Sequence, residues 1–253
     1  MRLLILGGTS EASALARALV GDPRVMPTLS LAGRTIAPVL PPIPYRIGGF
    51  GGVAGLVDHC RSQAIDALID ATHPFAAQMT DHAYRATAQC GIACLRIDRP
   101  AWRPEAGDRW INVADMSAAV RVLGDVPRRV FLTIGQQELA PFRAAPWHHY
   151  LIRSVDPPPP ELLPPDATII AARGPFAVED ERALLIAHRI ATIVTKNSGA
   201  IATAAKLAAA RDLGLPVVMI DRPASPPMAT VPDVAGALEW LEARHAASIR
   251  RGV

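Results

Sequence analysis

Short apolar runs alternate with amphipathic stretches along this chain. Residues 3–6 (LLIL) are wholly apolar, which predicts a strand buried on both faces. Residues 11–20 then place Ala12, Leu15, Ala16 and Leu19 on one face at helical spacing, entered through Thr9 and Ser10. The same reasoning predicts strands over 26–31, 45–47, 67–70 and 93–97, with helices over 56–63 and 76–90. Further on it predicts strands over 130–134, 168–171, 192–195 and 217–220, and helices over 178–188 and 200–213. A last helix, over 233–247, carries Ala237, Leu238 and Leu241 on one side. The linker is placed near 99–110, and Pro157 to Pro160 reads as a stiff exposed connector. Strands alternating with helices predict parallel sheets covered by helices.

The pattern occurs twice. Ile97-Asp98-Arg99-Pro100-Ala101 reappears as Ile220-Asp221-Arg222-Pro223-Ala224, each time after a buried strand. RLLILGGTSE from Arg2 echoes RVFLTIGQQE from Arg129. Val113-Ala114-Asp115 and Val231-Pro232-Asp233 each precede an alanine-rich helical stretch. Three matches in one order predict two related α/β domains, Rossmann-like or flavodoxin-like, with parallel sheets and an interdomain cleft. The expected division is 1–100 and 101–253, with the last helix free to pack on either domain.

Composition narrows the function. Half of the 253 residues are apolar and 5% aromatic, so Ala, Leu, Val and Ile must build the cores. The net charge of +3 is mild and no basic run is interleaved with aromatics, so nucleic acid is not an expected partner. No stretch is long enough to span a membrane. Cys60, Cys90 and Cys94 lack CxxC spacing, which argues for small apolar thiols over a disulfide framework or a zinc site. These features fit a reducing cytoplasm. Arg greatly outnumbers Lys, and its planar fork suits carboxylates and phosphates.

Ligands on parallel sheets bind beyond the carboxyl ends of the strands. Gly7, Gly8, Thr9, Ser10 and Glu11 form the first such loop, where glycines admit a phosphate to backbone amides; glycines needed only for the turn are the alternative. The second strand ends in Ser30, Arg34 and Thr35 where an NAD site usually has an acidic residue, so Arg34 is a candidate partner for a 2′-phosphate. Gly49, Phe50 and Gly51 belong to a glycine cluster able to lie flat on a ligand, or to serve as a connector. Thr72, His73, Pro74 and Phe75 form a fourth loop, with His73 a candidate proton donor or positioning residue. In the second half, Lys196, Asn197, Ser198 and Gly199 offer a cation and helix-entry amides, or an ordinary N-cap. Arg173 follows the predicted strand over 168–171 and offers a second cation; Arg99 and Arg222 end the two related strands, and Arg99 is better read as part of a structural ion pair.

Taken together, ILGGTSEA from Ile5, LAGRT from Leu31, GGFGG from Gly48, DATHPFA from Asp70, ARGPF from Ala172, TKNSGA from Thr195 and IDRP from Ile220 resemble the precorrin-6A reductase family of cobalamin biosynthesis. The resemblance implies an NADPH-dependent oxidoreductase that reduces one double bond of an anionic tetrapyrrole, turning precorrin-6A into precorrin-6B, without metal or flavin. It implies a nucleotide held by the first domain's loops. Arg173, Lys196, Asn197, Ser198, Gly199 and Arg222 are then the candidates for binding the ring's carboxylates, His73 and Lys196 are the catalytic candidates, and water, His73 or Lys196 could supply the proton. Product passing to neighbouring pathway enzymes also follows from it. The cobalt-containing substrate of the anaerobic pathway is the alternative within the fold. A two-lobed module that closes on a ligand without chemistry is the alternative outside it.

Overall fold

A computed structural model of the chain describes residues 1–33 and 40–250. They form two compact units, Met1–Pro100 with Ala224–Val253, and Ala101–Pro223. The first holds β1 (Arg2–Leu6), α1 (Ser10–Ala18), β2 (Met26–Leu31), β3 (Tyr45–Ile47), α2 (Gly52–Ser62), β4 (Ala67–Asp70), α3 (Ala77–Cys90) and β5 (Ala93–Ile97). The second holds β6 (Arg109–Val113), α4 (Met116–Leu123), β7 (Arg129–Thr133), β8 (His149–Ser154), β9 (Ala167–Ala171), α5 (Val178–Ala187), β10 (Thr192–Lys196), α6 (Ala205–Asp212) and β11 (Pro216–Ile220). The chain then returns to the first unit for β12 (Ala229–Val231) and α7 (Val234–Arg250). A single cut at 100/101 therefore does not describe the division: the last 30 residues, from Ala224 on, join the first unit.

Each unit contains one six-stranded, wholly parallel sheet. The orders are β12-β5-β4-β1-β2-β3 and β6-β11-β10-β7-β8-β9. Strands β1 to β5 correspond one for one to β7 to β11. The sixth strands are exchanged: β6 follows β5 in sequence but joins the second sheet, and β12 follows β11 but joins the first. The two α/β halves legible in the sequence are thus real, with crossed edges.

Packing follows the two-residue period of the strands. Leu3 and Ile5 face a cluster with Leu15 and Ala16 of α1, Leu19 just after it, and Ala237 and Leu241 of α7. Leu4 and Leu6 face Leu56, Val57 and Cys60 of α2 and Ala83 and Ala86 of α3. The first sheet is therefore buried on both faces. In the second unit Phe131, Ile193, Val217 and Met219 pack against Leu185, Leu207, Ala209 and Ala210 of α5 and α6. Two 3-10 turns, Gln136–Glu138 and Ala140–Ala144, stand where α1 stands in the first half. Pro141 and Pro146 each lack the amide that a continuing helix would use.

The expected elements differ from the observed ones for local reasons. The strand β6 starts inside the stretch read as a linker; its face is largely exposed, so it lacks an apolar signature. β8 combines a histidine at its start with a buried arginine, and β12 has only three residues. α2 begins at Gly52, inside the glycine cluster, and α6 begins at Ala205 after a 3-10 turn over Ile201–Thr203. The thiols Cys60, Cys90 and Cys94 are all free, and burial raises the first to about 12 and the third to about 11.

One buried ion pair stands out. Asp70, at the end of β4, and Arg96, on β5, are 0% and 2% exposed, and Arg96 Nη1 donates to Asp70 Oδ2 at 3.0 Å. Thr80 of α3 donates to the same oxygen at 2.7 Å and accepts from Arg96. Thr72 donates twice to Asp70 Oδ1, from its amide at 3.0 Å and its hydroxyl at 2.6 Å. At the corresponding positions of the second sheet, Thr195 pairs with Met219 in register. Removing one member of a buried pair strands the other charge and typically costs about 3–5 kcal/mol, whereas apolar replacement of both is often near neutral. Asp70→Thr is therefore expected to lose about 3–5 kcal/mol in urea unfolding, and Asp70→Thr with Arg96→Met to recover most of that loss. Equal stability of the single and double variants would refute this account.

Candidate functional site

In the first unit the expected ligand loops occupy the carboxyl ends of four adjacent strands, β4-β1-β2-β3, and hydrogen bonds join them in series. Gly7 N donates to Ser30 O at 2.9 Å, tying the β1 loop to the end of β2. Thr9 Oγ1 donates to Ala71 O at 2.7 Å, tying the same loop to β4. That hydroxyl also caps α1 by accepting from Ala12 N at 3.1 Å. Gly8 has φ +114 and open space where a Cβ would stand, so this turn leaves its backbone accessible. Ser10 bonds Glu11, and Glu11 pairs with Arg99 at 2.6 Å. The arginine holds the Glu11 carboxyl below its usual range against the opposing effect of burial, which is the larger single influence.

Arg46, on β3, is a site residue that the sequence reading missed. Its Nη1 donates to Ser30 Oγ and to Gly48 O, both at 2.8 Å, and its Nη2 to Gly49 O at 3.0 Å. Its guanidinium lies 4.0 Å from the centre of the Phe50 ring. An arginine two residues before a glycine cluster was the available signal. Gly48 and Gly51 take positive φ, and Gly49 and Gly51 have open space beside them. Phe50 packs on the α2–α3 core and meets His59 edge-on at 5.1 Å, so anchoring the loop accounts for its presence there. A Cβ on Gly55 would fall 1.7 Å from Phe50 O, which fixes the loop closely against α2. Arg34 and Thr35 lie outside the described residues.

In the β4–α3 loop, Asp70 locks Thr72 as described above. His73 Nδ1 accepts from Phe75 N at 3.2 Å, which places the proton of the neutral ring on Nε2. The Phe75 ring lies 5.8 Å from the imidazole. Pro74 sits in the turn ahead of α3.

The second unit gathers another set. Lys196, at the end of β10, pairs with Glu138 Oε2 at 2.5 Å, and Glu138 also accepts from Gly135 N. Asn197 is committed to bracing: its side chain bonds both the amide and the carbonyl of Trp102, at 2.8 and 3.1 Å. Arg222 donates to the carbonyls of Asn197 and Ser198, at 2.8 and 3.1 Å, and so supports the loop that ends in Gly199, whose φ is +70. The Arg173 segment meets this loop, because Phe176 N donates to Ala202 O at 3.2 Å and Gly174 packs against the same carbonyl. Arg173 is exposed and makes no ion pair among the described residues. Arg153 and Glu181 form a buried pair beneath, and Arg153 also stacks on Phe176 at 3.7 Å.

The chain's two lysines, Lys196 and Lys206, both lie in this region. Lys206 is 2% exposed, donates to Thr203 O at 2.6 Å and lies 4.8 Å from the Trp102 ring. Burial lowers its pKa from 10.5 to about 7, with Arg153 adding to the effect and Glu181 opposing it. Between those values the unfolded chain binds the extra proton, so this group makes the fold more stable as pH rises from about 7. Lys206→Met is expected to remove that slope. Between pH 7 and about 8.5, below ordinary thiol titration, the melting temperature of the wild type should gain on that of the variant. A constant difference would contradict it.

The fold and loops define a class: a two-unit parallel α/β protein with glycine-bearing turns at the strand ends. A family model described as "Precorrin-6x reductase CbiJ/CobK" matches residues 2–242. The chain belongs to that family. A Rhodobacter capsulatus protein named precorrin-6A reductase is 52% identical, over 98% of both chains. One from Mycobacterium tuberculosis with the same name is 46% identical, over 95% of this chain and 97% of the relative. A cobalt-precorrin-6A reductase from Methanothermobacter thermautotrophicus is 30% identical, over 88% of this chain and 77% of the relative. The solved structure of a CobK precorrin-6A reductase superposes with a TM-score of 0.91 at 52% identity, covering 97% of each chain.

Proposed function

We propose that this chain is a precorrin-6A reductase that uses NADPH to reduce one double bond of the macrocycle, giving precorrin-6B. Family membership across residues 2–242, with 52% identity to a relative of that name, carries the reading. Relatives named for the cobalt-containing ring are near 30% identity, which favours the metal-free substrate.

The first unit's residues fit a dinucleotide. The open Gly8 turn and the amides entering α1 suit a pyrophosphate. Ser30, held by Arg46 and buried at the end of β2, stands where a ribose is bound in such folds. Arg34 supplies the charge for a 2′-phosphate. When bound, the reduced nicotinamide supplies a hydride, and the protein contributes orientation and charge. His73, with its proton on Nε2, donates a hydrogen bond that positions the reacting group. Thr72, Pro74 and Phe75 shape that edge.

The second unit recognises the ring's carboxylates. Arg173 is the exposed fork for one of them, and Lys196, held by Glu138, presents a second cation. Lys196 also stands as the candidate proton source. Asn197, Ser198, Gly199 and Arg222 serve chiefly to keep that loop in place.

Following nucleotide absorbance with precorrin-6A and with its cobalt form tests the assignment. Rapid NADPH oxidation with the metal-free ring is expected, and no oxidation with either ring would refute it. Arg34→Ala should narrow the preference for NADPH over NADH by about 10–100-fold, the worth of one to two charge-assisted hydrogen bonds. Arg173→Ala and Lys196→Met should lower kcat/KM for the macrocycle by a similar factor and leave nucleotide affinity unchanged.

A further inference from the structure

The duplicated architecture supplies its own control for charge. Arg2 opens β1 and Arg129 opens β7, and both hold the chain before the next central strand. Arg2 Nη1 donates to Gln63 O at 2.9 Å, and Arg129 Nε donates to His188 O at 2.5 Å. Each acceptor precedes a residue in the left-handed region, Ala64 at φ 49 and Arg189 at φ 50. One arginine at this edge is thus a feature of the fold.

The second unit differs from the first at several positions of this edge. Arg189 occupies the place of Ala64. His149 opens β8 where Met26 opens β2. Arg128 precedes β7. Asp66, whose carboxylate accepts from Arg2 N at 2.6 Å, corresponds to Ala191. Arg189 and His149 are thus gained and Asp66 is lost, while Arg24 of the first unit gives way to Trp147.

These residues line one open cavity of about 410 Å³ at the amino-terminal ends of β7, β8 and β10. Its wall includes Trp147, whose indole is fixed by a bond from Nε1 to Gly124 O at 3.0 Å. The one lining carboxylate, Asp166, is bound to His149 Nδ1 at 2.8 Å. Among the described residues no carboxylate pairs with Arg128, Arg129 or Arg189. Three guanidiniums around one cavity repel one another, and a bound oxyanion both relieves this and accepts forked hydrogen bonds. The volume suits a small metabolite.

We propose that this cavity binds a multiply charged oxyanion, a ligand bearing phosphate or carboxylate groups. It is separate from the loop of Lys196, which lies at the other end of β10, roughly 13 Å along the strand at about 3.3 Å per residue. The proposal is independent of the reductase reading and goes beyond it.

Pyrophosphate and citrate are the probes, one for each source of charge. Each is titrated into the labelled protein with NADPH at saturation, following the Trp147 indole amide resonance, which Trp147→Phe identifies. A saturable shift is expected with one or both anions, and the better binder assigns phosphate or carboxylate. Arg128→Gln with Arg189→Asn should weaken that affinity at least about tenfold, by loss of two charge-assisted contacts. Asparagine tolerates the left-handed backbone. Arg128→Gln alone, at an exposed loop position, carries the same comparison should the double variant melt early. A Trp147 resonance that neither anion moves, or equal affinity in wild type and variants, overturns the proposal.

Discussion

The amino-terminal unit organises the carboxyl edge of its sheet around the charge of Asp70. This carboxylate is sealed from solvent and accepts from Thr72 twice, from Thr80 and from Arg96. Those donors belong to three separate pieces of structure: the β4 loop, α3 and β5. One side chain therefore sets where the turn carrying His73 leaves the sheet. The turn is then tied onward by Thr9 to the β1 loop, and that loop by Gly7 to β2. The second sheet fills the same two positions with Thr195 and Met219. The fold does not require an ion pair there, so what the pair adds is the fixed course of the loop. Buried charge is a poor source of net stability but a strict geometric constraint, because its partners cannot leave without stranding it.

The two halves share a strand order but differ at both ends of their strands. At the carboxyl ends the first unit presents glycines and backbone amides, while the second presents Lys196 and Arg173. Glycine turns admit a phosphate to the main chain, whereas long cations reach out to separate carboxylates. The exchange of β6 and β12 alters neither edge, because both strands sit at the far side of their sheets. It does place the final helix on the first unit, where Ala237 and Leu241 complete the core beside α1.

Much of this was legible in the sequence, for physical reasons. Of the central strands, β1 is apolar from Leu3 to Leu6, because both its faces are covered. The repeated IDRP and the Arg2/Arg129 match reflected equivalent strands in the two sheets. The exchanged strands were harder to see. β6 has mostly exposed residues and β12 only three, and pairing with a distant sheet leaves no trace in local pattern. The loops were found by their glycines and by DATHPFA and TKNSGA, but the division of labour inside them was not. Asn197 and Arg222 look like ligand-binding residues, yet their side chains reach main-chain groups within their own unit. Arg46 went unnoticed because its partners are carbonyls and a serine, which no spacing rule marks.

The scarcity of lysine sharpens the reading of the second unit. Against 26 cationic residues in all, only Lys196 and Lys206 are lysines, ten positions apart. An arginine remains charged in any protein setting and carries a wide planar head, whereas an ammonium is compact and can lose its proton when buried. Lys206 exploits the second property: it sits beneath Trp102 with burial drawing its pKa towards neutrality. Lys196 exploits the first, fitting against Glu138 beside Gly135, where a Cβ would already stand 3.6 Å from the ammonium. One carboxylate thus holds the compact cation of this loop, while burial among apolar and aromatic neighbours sets the behaviour of the other.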